Sequence, residues 1–344
     1  MYNYDDKNGI KEYFKENGYV VITNVLNKKE IDNTINEICN HPALLGDYNF
    51  NLKDPSTWDQ PHIKNCGFVD VNQGYSQGHS QNELEHVWHN RQNVNVISSF
   101  QNILDADDIV VNQDRFGVMR PTKVNPKWKT LNSWLHWDEN PWKHTEFNNV
   151  QGLITLTDQT EDSGGFCCIP KFHLKLKEWI EDNLEYKNKN FNETNIIVQF
   201  PHEDKDCKNV KKILAPAGSL IIWDSRLPHC SYPNDGYDFR IVQYITFQRK
   251  DSINDQLMGV LKQSYIESYI TDKNFLDNII TPAGRKILNF DEFEKLYPIT
   301  DKDIEAYKEY KKGCQLEIEE KFTEAIKHYN KARYLSNLIE QVYL

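Results

Sequence analysis

The sequence predicts a mainly β protein with flanking helices and a C-terminal α-hairpin. The first observation is a series of short segments between about 109 and 250 that are rich in β-branched and aromatic residues and are separated by Gly, Pro, Asn and Asp. This alternation is typical of an antiparallel sandwich or barrel. The second observation is a change to helical spacing from about residue 299 onward. We predict strands at 110–120, 131–137, 150–157, 165–169, 194–200, 219–223 and 239–247, and helices at 174–184 and 252–271.

The N-terminal residues predict a helix, a strand and a second helix, followed by an irregular segment. Residues 7–16 carry apolar positions at helical spacing, and Gly18 ends that helix. The segment 19–22 reads Tyr-Val-Val-Ile, which is typical of a buried strand, and Asn27 then caps the second helix. Residues 41–93 are rich in Asn, Gln, Gly and aromatics without a sustained period. Such a segment is either a lid or substrate wall, or an ordered surface loop.

The C-terminal residues 299–344 predict a helical hairpin. Asp301 opens a helix that extends to about 318, and a second helix continues to about 336. Small and aromatic residues follow the pattern of one tetratricopeptide repeat, at Gly313, Ala325, Tyr329 and Ala332. Because a single repeat rarely stands alone, the hairpin either supports the main domain or binds a partner protein.

Composition and charge exclude several classes of protein. The formal net charge is −11, from 40 Lys and Arg against 51 Asp and Glu, whereas nucleic-acid backbones are bound by excess positive charge. No run of about 18 apolar residues is present to span a bilayer, and the N-terminus lacks the pattern of a secretory signal. We therefore expect a soluble, cytoplasmic protein with no nucleic-acid or membrane partner. The seven cysteines form no CxxC pair, which argues against a cysteine-built zinc site or a disulfide framework.

The central motif is a His-x-Asp pair, His136 and Asp138, at the end of a predicted apolar strand. Side chains two residues apart on a strand point to the same side. Two imidazoles and one carboxylate form the triad that binds iron(II) and leaves coordination positions open. The third ligand must come from another strand, and His229 follows a predicted buried strand. His-x-acid also occurs at His144 and His202, but both of these lie in polar segments that are expected to face solvent.

Arg240 lies eleven residues after His229, near the start of the predicted strand 239–247. An arginine in this position is expected to be buried, and a buried guanidinium is costly unless it meets a planar carboxylate. The distal carboxylate of 2-oxoglutarate would supply that partner. An internal salt bridge to an Asp or Glu is the alternative.

Taken in order, these motifs resemble the phytanoyl-CoA dioxygenase family. After His-x-Asp come Gly-Gly-x(4)-Pro-x-x-His at 164–173 and Gly-Ser-Leu-Ile-Ile-Trp at 218–223, and then Pro-His and Arg240. The N-terminal strand and helix also resemble the opening of that family, so the resemblance covers roughly residues 7 to 250. One departure is that the family's usual Pro-Gly-Ser-His turn reads Pro-Lys-Phe-His at 170–173.

The resemblance implies a double-stranded β-helix (jelly-roll) core within a dioxygenase domain of residues 1–285, with the hairpin of residues 299–344 outside the family pattern. It implies 2-oxoglutarate held by Arg240, helped by Ser231 two residues after the distal histidine, and dioxygen as the oxidant. The implied ligands of Fe(II) are His136, Asp138 and His229, with no catalytic residue beyond them. The implied reaction is hydroxylation of an unactivated C–H bond of a small-molecule substrate, with release of succinate and CO2.

Two alternatives to a hydroxylase remain from the residues. A catalytically silent jelly-roll adaptor would bind a partner through the C-terminal hairpin, although such a protein has no reason to retain the three ligands and Arg240 together. A cupin-type metal enzyme without 2-oxoglutarate would bring more histidines to the metal and leave Arg240 without a purpose. Nothing in the sequence identifies the substrate.

Overall fold

The chain forms two compact units in the computed structural model, Met1–Ser252 and Ile253–Leu344. The structure describes residues 1–40, 50–59, 84–112, 114, 116–130, 134–186, 197–272 and 274–344. Within these residues all strands lie in the first unit, and the regular elements of the second unit are helical. The structure thus contains β-sheets accompanied by many helices, which confirms the prediction of sheets with flanking helices in this general form. None of the described helices combines the length and hydropathy that crossing a bilayer requires.

The described strands of the first unit form two sheets. They are β1 (Tyr2–Asn3), β2 (Tyr19–Thr23), β3 (Ile109–Asn112), β4 (Phe116–Met119), β5 (His136–Trp137), β6 (Val150–Thr155), β7 (Gly165–Cys168), β8 (Val198–Gln199), β9 (Lys211–Lys212), β10 (Leu220–Asp224), β11 (His229–Tyr232) and β12 (Arg240–Arg249). The larger sheet has the order β1-β2-β10-β6-β12-β3, with β4 also paired to β12, and the smaller has the order β8-β5-β11-β7-β9. Strands β1 and β2 are parallel, whereas the pairs that position the site are antiparallel.

Helices accompany the sheets in the first unit and build the second. They are α1 (Lys7–Asn17), α2 (Lys28–Asn40), α3 (Glu85–Gln92), α4 (Val94–Leu104), α5 (Leu176–Asp182), α6 (Asp255–Thr271), α7 (Pro282–Ile287), α8 (Phe290–Leu296), α9 (Asp301–Ile318), α10 (Phe322–Leu335) and α11 (Asn337–Tyr343). The predicted helices at 174–184 and 252–271 correspond to α5, which is shorter at both ends, and to α6, which begins three residues later and ends as predicted.

The first two helices and β2 agree closely with the prediction for the N-terminal residues. Gly18 ends α1 with φ at 76°, a left-handed conformation that glycine adopts without steric cost. The Asn27 side chain accepts a hydrogen bond from the backbone N–H of Glu30, and the Glu30 carboxylate accepts one from the N–H of Asn27. This reciprocal capping satisfies backbone donors that the first turn of α2 would otherwise leave unpaired.

Other elements differ from the prediction. The predicted strand 110–120 is divided into β3 and β4, and of the predicted strand 131–137 only β5 is found among the described residues. The segment 41–93 was predicted to be irregular, yet it contains α3. That helix buries apolar and polar side chains alike, so it has no apolar stripe from which a helix could be predicted. The remaining parts of the segment, 41–49 and 60–83, lie outside the described residues.

The core of the first unit lies between the two sheets. Leu153 and Val242 of the larger sheet belong to one cluster of buried side chains with Trp137 and Phe166 of the smaller sheet. The rings of Phe166 and Trp223 lie 4.4 Å apart between their centroids. Because this core excludes water from the inner face of β5, β7 and β11, side chains at the edge of the core are buried on one side.

The second unit contains the predicted pair of C-terminal helices as α9 and α10. Thr300 and Asp303 form a capping box at the start of α9. Gly313 contacts the ring of Tyr329, where a Cβ would leave no room, and α11 extends the unit beyond the predicted pair. Because α6 packs against α8 and α11, the compact unit begins at Ile253. The tetratricopeptide-like character of the pair and the functional division into residues 1–285 and 299–344 stay predictions.

Candidate metal centre

The structure brings the three predicted ligands together where β5 and β11 meet. The strand register places His136 directly opposite His229, and Asp138 follows the end of β5. The Asp138 carboxylate lies 3.4 Å from Nε2 of His136 and 3.2 Å from Nε2 of His229. The three ligand atoms all lie within 4.8 Å of one another. Atoms that share one ion at about 2.1 Å are separated by about 3 to 4 Å, so the cluster needs little adjustment to hold a metal.

Hydrogen bonds to the backbone fix the orientation of both imidazoles. Nδ1 of His136 lies 3.0 Å from the carbonyl oxygen of Trp134, and Nδ1 of His229 lies 3.0 Å from that of Leu227. A carbonyl oxygen can only accept, so each Nδ1 carries a proton, and in each ring Nε2 is the nitrogen that faces Asp138. Two imidazole nitrogens and a carboxylate oxygen that converge in this way are ligands that divalent metal ions take. The donor set therefore fits a divalent metal ion.

The contacts within the cluster shift the pKa of His229 upward and the pKa of Asp138 downward, so both groups favour their charged forms. Burial alone would lower the pKa of His229, but the hydrogen bond and charge of Asp138 outweigh it, so the pKa is raised. Burial alone would raise the pKa of Asp138, but His136 and His229 lower it well below its usual range. The Asp138 carboxylate thus stays ionised and is available as an anionic ligand.

Gln151 is a residue of the site that the sequence reasoning missed. Its Nε2 donates to Oδ2 of Asp138 at 2.6 Å, and its Oε1 accepts from the indole Nε1 of Trp223 at 3.0 Å. Because the indole can only donate, this bond fixes which end of the Gln151 amide faces Asp138. Gln151 and Trp223 are partners in the register of β6 and β10. Trp223 ends the Gly-Ser-Leu-Ile-Ile-Trp motif, but no motif marks Gln151.

A cavity of about 240 Å³ adjoins the three ligands. Trp134 stacks on the His136 ring, with centroids 4.3 Å apart and planes inclined by 7°. The other side chains of the wall combine aromatic surface with a few polar groups, including Gln151, Phe166, Trp223, Ser231, Tyr244 and Thr246. Such a mainly apolar wall with a few converging polar groups suits a small molecule that binds beside the metal.

Arg240 is buried as predicted, with 1% of its surface exposed. One guanidinium nitrogen donates to Oε1 of Gln159 at 3.1 Å, and another lies 3.7 Å from the sulfur of Met119. Its Nε has no hydrogen-bond partner among the described residues. No Asp or Glu in the described part of the chain forms an ion pair with Arg240. The alternative of an internal salt bridge therefore has no candidate there.

Ser231 is part of the cavity wall, whereas Arg240 is not among the residues that line the cavity. Arg240, Tyr244 and Thr246 lie on the same face of β12, because successive side chains of a strand point to opposite faces. Gln159 Oε1, which accepts from Arg240, also accepts from the backbone N–H of Phe166 in the wall. A single side chain thus connects the buried guanidinium to the cavity.

The other histidine and acid pairs do not join this centre. His144 and His202 are exposed, as their polar segments predicted. A second group of potential ligand atoms, on α3, consists of Glu85, His86 and His89, with Glu85 exposed and both histidines half-buried. Its histidines are more exposed than His136 and His229, which are both buried.

The turn at 170–173, which departs from the family pattern in sequence, contains a left-handed residue. Lys171 occupies the place of the usual glycine and adopts a left-handed conformation with φ at 64°. Its backbone N–H donates to the carbonyl of Asn17 at 2.9 Å. Nε2 of His173 donates to the carbonyl of Lys15 at 3.0 Å, and a Cβ at Gly18 would lie 2.6 Å from Nδ1 of His173. Gly18 and His173 thus connect the end of α1 to the turn that follows β7.

Comparisons with known proteins identify the family of the chain. A family model described as Phytanoyl-CoA dioxygenase (PhyH) matches residues 14–242. A putative phytanoyl-CoA dioxygenase of Dictyostelium discoideum is 30% identical over 275 residues, which cover 71% of this chain and 76% of that protein. The Ava biosynthesis cluster protein O of Aspergillus versicolor is 24% identical over 283 residues, which cover 79% of this chain and 87% of that protein.

Among solved structures, that of GlcNAc Inducible Gene 2 from Candida albicans is similar in fold. It has a TM-score of 0.53 at 16% identity, and the match covers 87% of this chain and 81% of that one. An identity this low extends the likeness to the fold and no further.

Proposed function

Because the chain belongs to the phytanoyl-CoA dioxygenase family, we propose that it hydroxylates an unactivated C–H bond of a small-molecule substrate and releases succinate and CO2. The protein is a 2-oxoglutarate-dependent oxygenase, and its cofactors are Fe(II), 2-oxoglutarate and dioxygen. Bound iron supplies the activation of dioxygen, which no protein side chain can perform. The observation that carries the residue-level proposal is the convergence of His136, Asp138 and His229 on one cavity.

In this proposal His136, Asp138 and His229 are the iron ligands. The two neutral imidazoles and the ionised carboxylate are the donor set that non-haem iron(II) oxygenases use. The bonds from both Nδ1 atoms to carbonyl oxygens support the assignment, since they hold each Nε2 toward Asp138. The stacked Trp134 ring and the apolar wall limit the access of water to that point.

Arg240 is proposed to bind the distal carboxylate of 2-oxoglutarate, and Ser231 to donate a hydrogen bond to the co-substrate. The unpartnered Nε of the buried guanidinium supports this, because a planar carboxylate would satisfy two of its N–H groups at once. The position of Ser231 in the cavity wall agrees with its role. We further propose that the two facing sheets form a double-stranded β-helix, which would place all these residues at one end of the core.

The adaptor alternative has less support. A silent protein gains nothing from the triad, the orienting bonds and the buried guanidinium together. Binding of a protein partner through residues 299–344 stays a prediction, and it does not conflict with an enzymatic first unit.

The proposed site is tested by the weak visible absorption band that Fe(II) and 2-oxoglutarate produce when they bind together without oxygen. We expect the band with the wild-type protein and its loss in His136→Ala. His144→Ala is the matched control, because it removes an exposed histidine from the same type of motif, and it should keep the band. An absent band in the wild type, or an unchanged band in His136→Ala, would contradict the assignment.

A further inference from the structure

Two cysteines face each other beside the candidate metal centre. Cys167 on β7 and Cys230 on β11 are partners in the strand register, one residue from His229. Their sulfur atoms lie 3.2 Å apart, and the residues are 0% and 5% exposed. Both are free thiols. The hydroxylation reaction uses neither of them.

The backbone at this pair already satisfies the geometry of a disulfide. Residues directly opposite each other in an antiparallel ladder have Cα atoms about 4.5 or 5.5 Å apart, according to the type of pair. Both distances lie within the range of about 4.4 to 6.8 Å found in disulfides. The two sulfur atoms need to approach by little more than about 1 Å to bond. A side-chain rotation suffices, with no slip of the strand register.

We propose that Cys167 and Cys230 are a site of reversible oxidation, at which hydrogen peroxide forms a cross-strand disulfide. Of the two residues only Cys230 keeps exposed surface, at 5%, so a small oxidant reaches it first. The Cys230 sulfur attacks peroxide, the O–O bond breaks, and a sulfenic acid and one water result. The Cys167 sulfur then attacks the Cys230 sulfur, and the S–O bond breaks. The hydroxyl leaves with the Cys167 proton as a second water, so that two thiols have reduced one peroxide.

The register also makes the reaction selective. Cys168 follows Cys167 in β7 but lies opposite His229, and it points to the other face of the strand. The thiol of Cys207 contacts the carbonyl oxygen of Pro201 instead. Among the described residues, Cys167 is the cysteine whose sulfur lies at hydrogen-bond distance from the Cys230 sulfur. The expected product is therefore a single bond between β7 and β11.

Peptide mapping of the full-length, metal-free protein tests the proposal. The protein is treated with hydrogen peroxide in the presence of a chelator, its free thiols are alkylated, and it is digested without reductant. We expect a peptide that joins Cys167 to Cys230 and that dithiothreitol separates. Cys168→Ser should keep this peptide, whereas Cys167→Ser should lose it and leave Cys230 as a sulfenic acid.

Two results would overturn the proposal. One is a wild-type protein in which Cys167 and Cys230 are both still alkylated after peroxide treatment, or are oxidised separately to sulfinic acids. The other is a linked peptide that joins either cysteine to a different one. The decisive measurement uses the wild-type chain, so it does not depend on the folding of any variant. Because no metal is present, it is also independent of the proposed catalytic function.

Discussion

Replacement of Gln151 by leucine tests how the chain orients its carboxylate ligand. The Gln151 amide donates to Asp138 at 2.6 Å and is itself held by the Trp223 indole. Leucine has a similar volume but no donor, so Asp138 would keep its charge and lose its fixed direction. A hydrogen bond to a charged group contributes about 1.5 to 3 kcal/mol. Loss of a partner that orients a metal ligand lowers metal affinity by about 10- to 100-fold, which corresponds to about 1.4 to 2.7 kcal/mol.

The two magnitudes agree, so we expect Gln151→Leu to bind the metal about 10- to 100-fold more weakly than the wild type. The assay is an anaerobic calorimetric titration of metal-free protein with Fe(II), accompanied by urea unfolding of each variant. Gln243→Leu is the matched control. It removes a fully buried glutamine of β12 whose amide donates to the carbonyl of Val87, on the strand face opposite to that of Tyr244.

The control should lose stability and keep its metal affinity. An affinity of Gln151→Leu within about twofold of the wild type would refute the orienting role, because the energy of the bond would then not be coupled to the metal. An equal loss of affinity in both variants would point to a general destabilisation of the fold.

Three further predictions follow from particular contacts. Arg240→Lys should bind 2-oxoglutarate about 10- to 100-fold more weakly in a calorimetric titration with the fold intact, since a point charge cannot reproduce a planar fork. The half-buried Arg249 supplies the control variant Arg249→Lys, and equal affinity of Arg240→Lys and the wild type would make Arg240 structural. Burial lowers the pKa of His173 below its ordinary 6.5. As the pH decreases below about 6.5, the unfolded chain therefore binds more protons than the folded one, and the free energy of unfolding decreases. This part of the pH dependence should be absent from urea unfolding of His173→Asn, and identical pH profiles for the two proteins would contradict it. Lys171→Val should be less stable to urea than Lys171→Gly by about 1 to 2 kcal/mol, because a β-branched side chain is strained at φ 64°; equal stabilities would show that the turn relaxes.

Much of the candidate site could be predicted from local features of the chain. His136 and Asp138 are two residues apart on an apolar strand, so their shared face follows from the geometry of a strand alone. The burial of Arg240 followed from its position near the start of an apolar strand, and the structure confirms it. The three His-x-acid pairs were separated by the polarity of their surroundings, and the exposure of His144 and His202 agrees with that choice.

Other features were missed because their signal is not local. Strand β11 is short and polar in part, so its pattern does not indicate a strand, yet it pairs with both β5 and β7. Gln151 and Trp223 are far apart in the sequence and become partners through the register of β6 and β10. Helix α3 has no apolar stripe, because it is surrounded by protein on several sides.

The sequence by itself determined which residue types are available and which face of a strand each occupies, because the alternation of side chains depends only on the backbone of that strand. The tertiary structure decided which strands lie side by side and in which register. That register places His136 opposite His229 and Cys167 opposite Cys230. It results from the packing of the whole core, since shifting one strand by a single residue would turn every buried side chain on it to the opposite face.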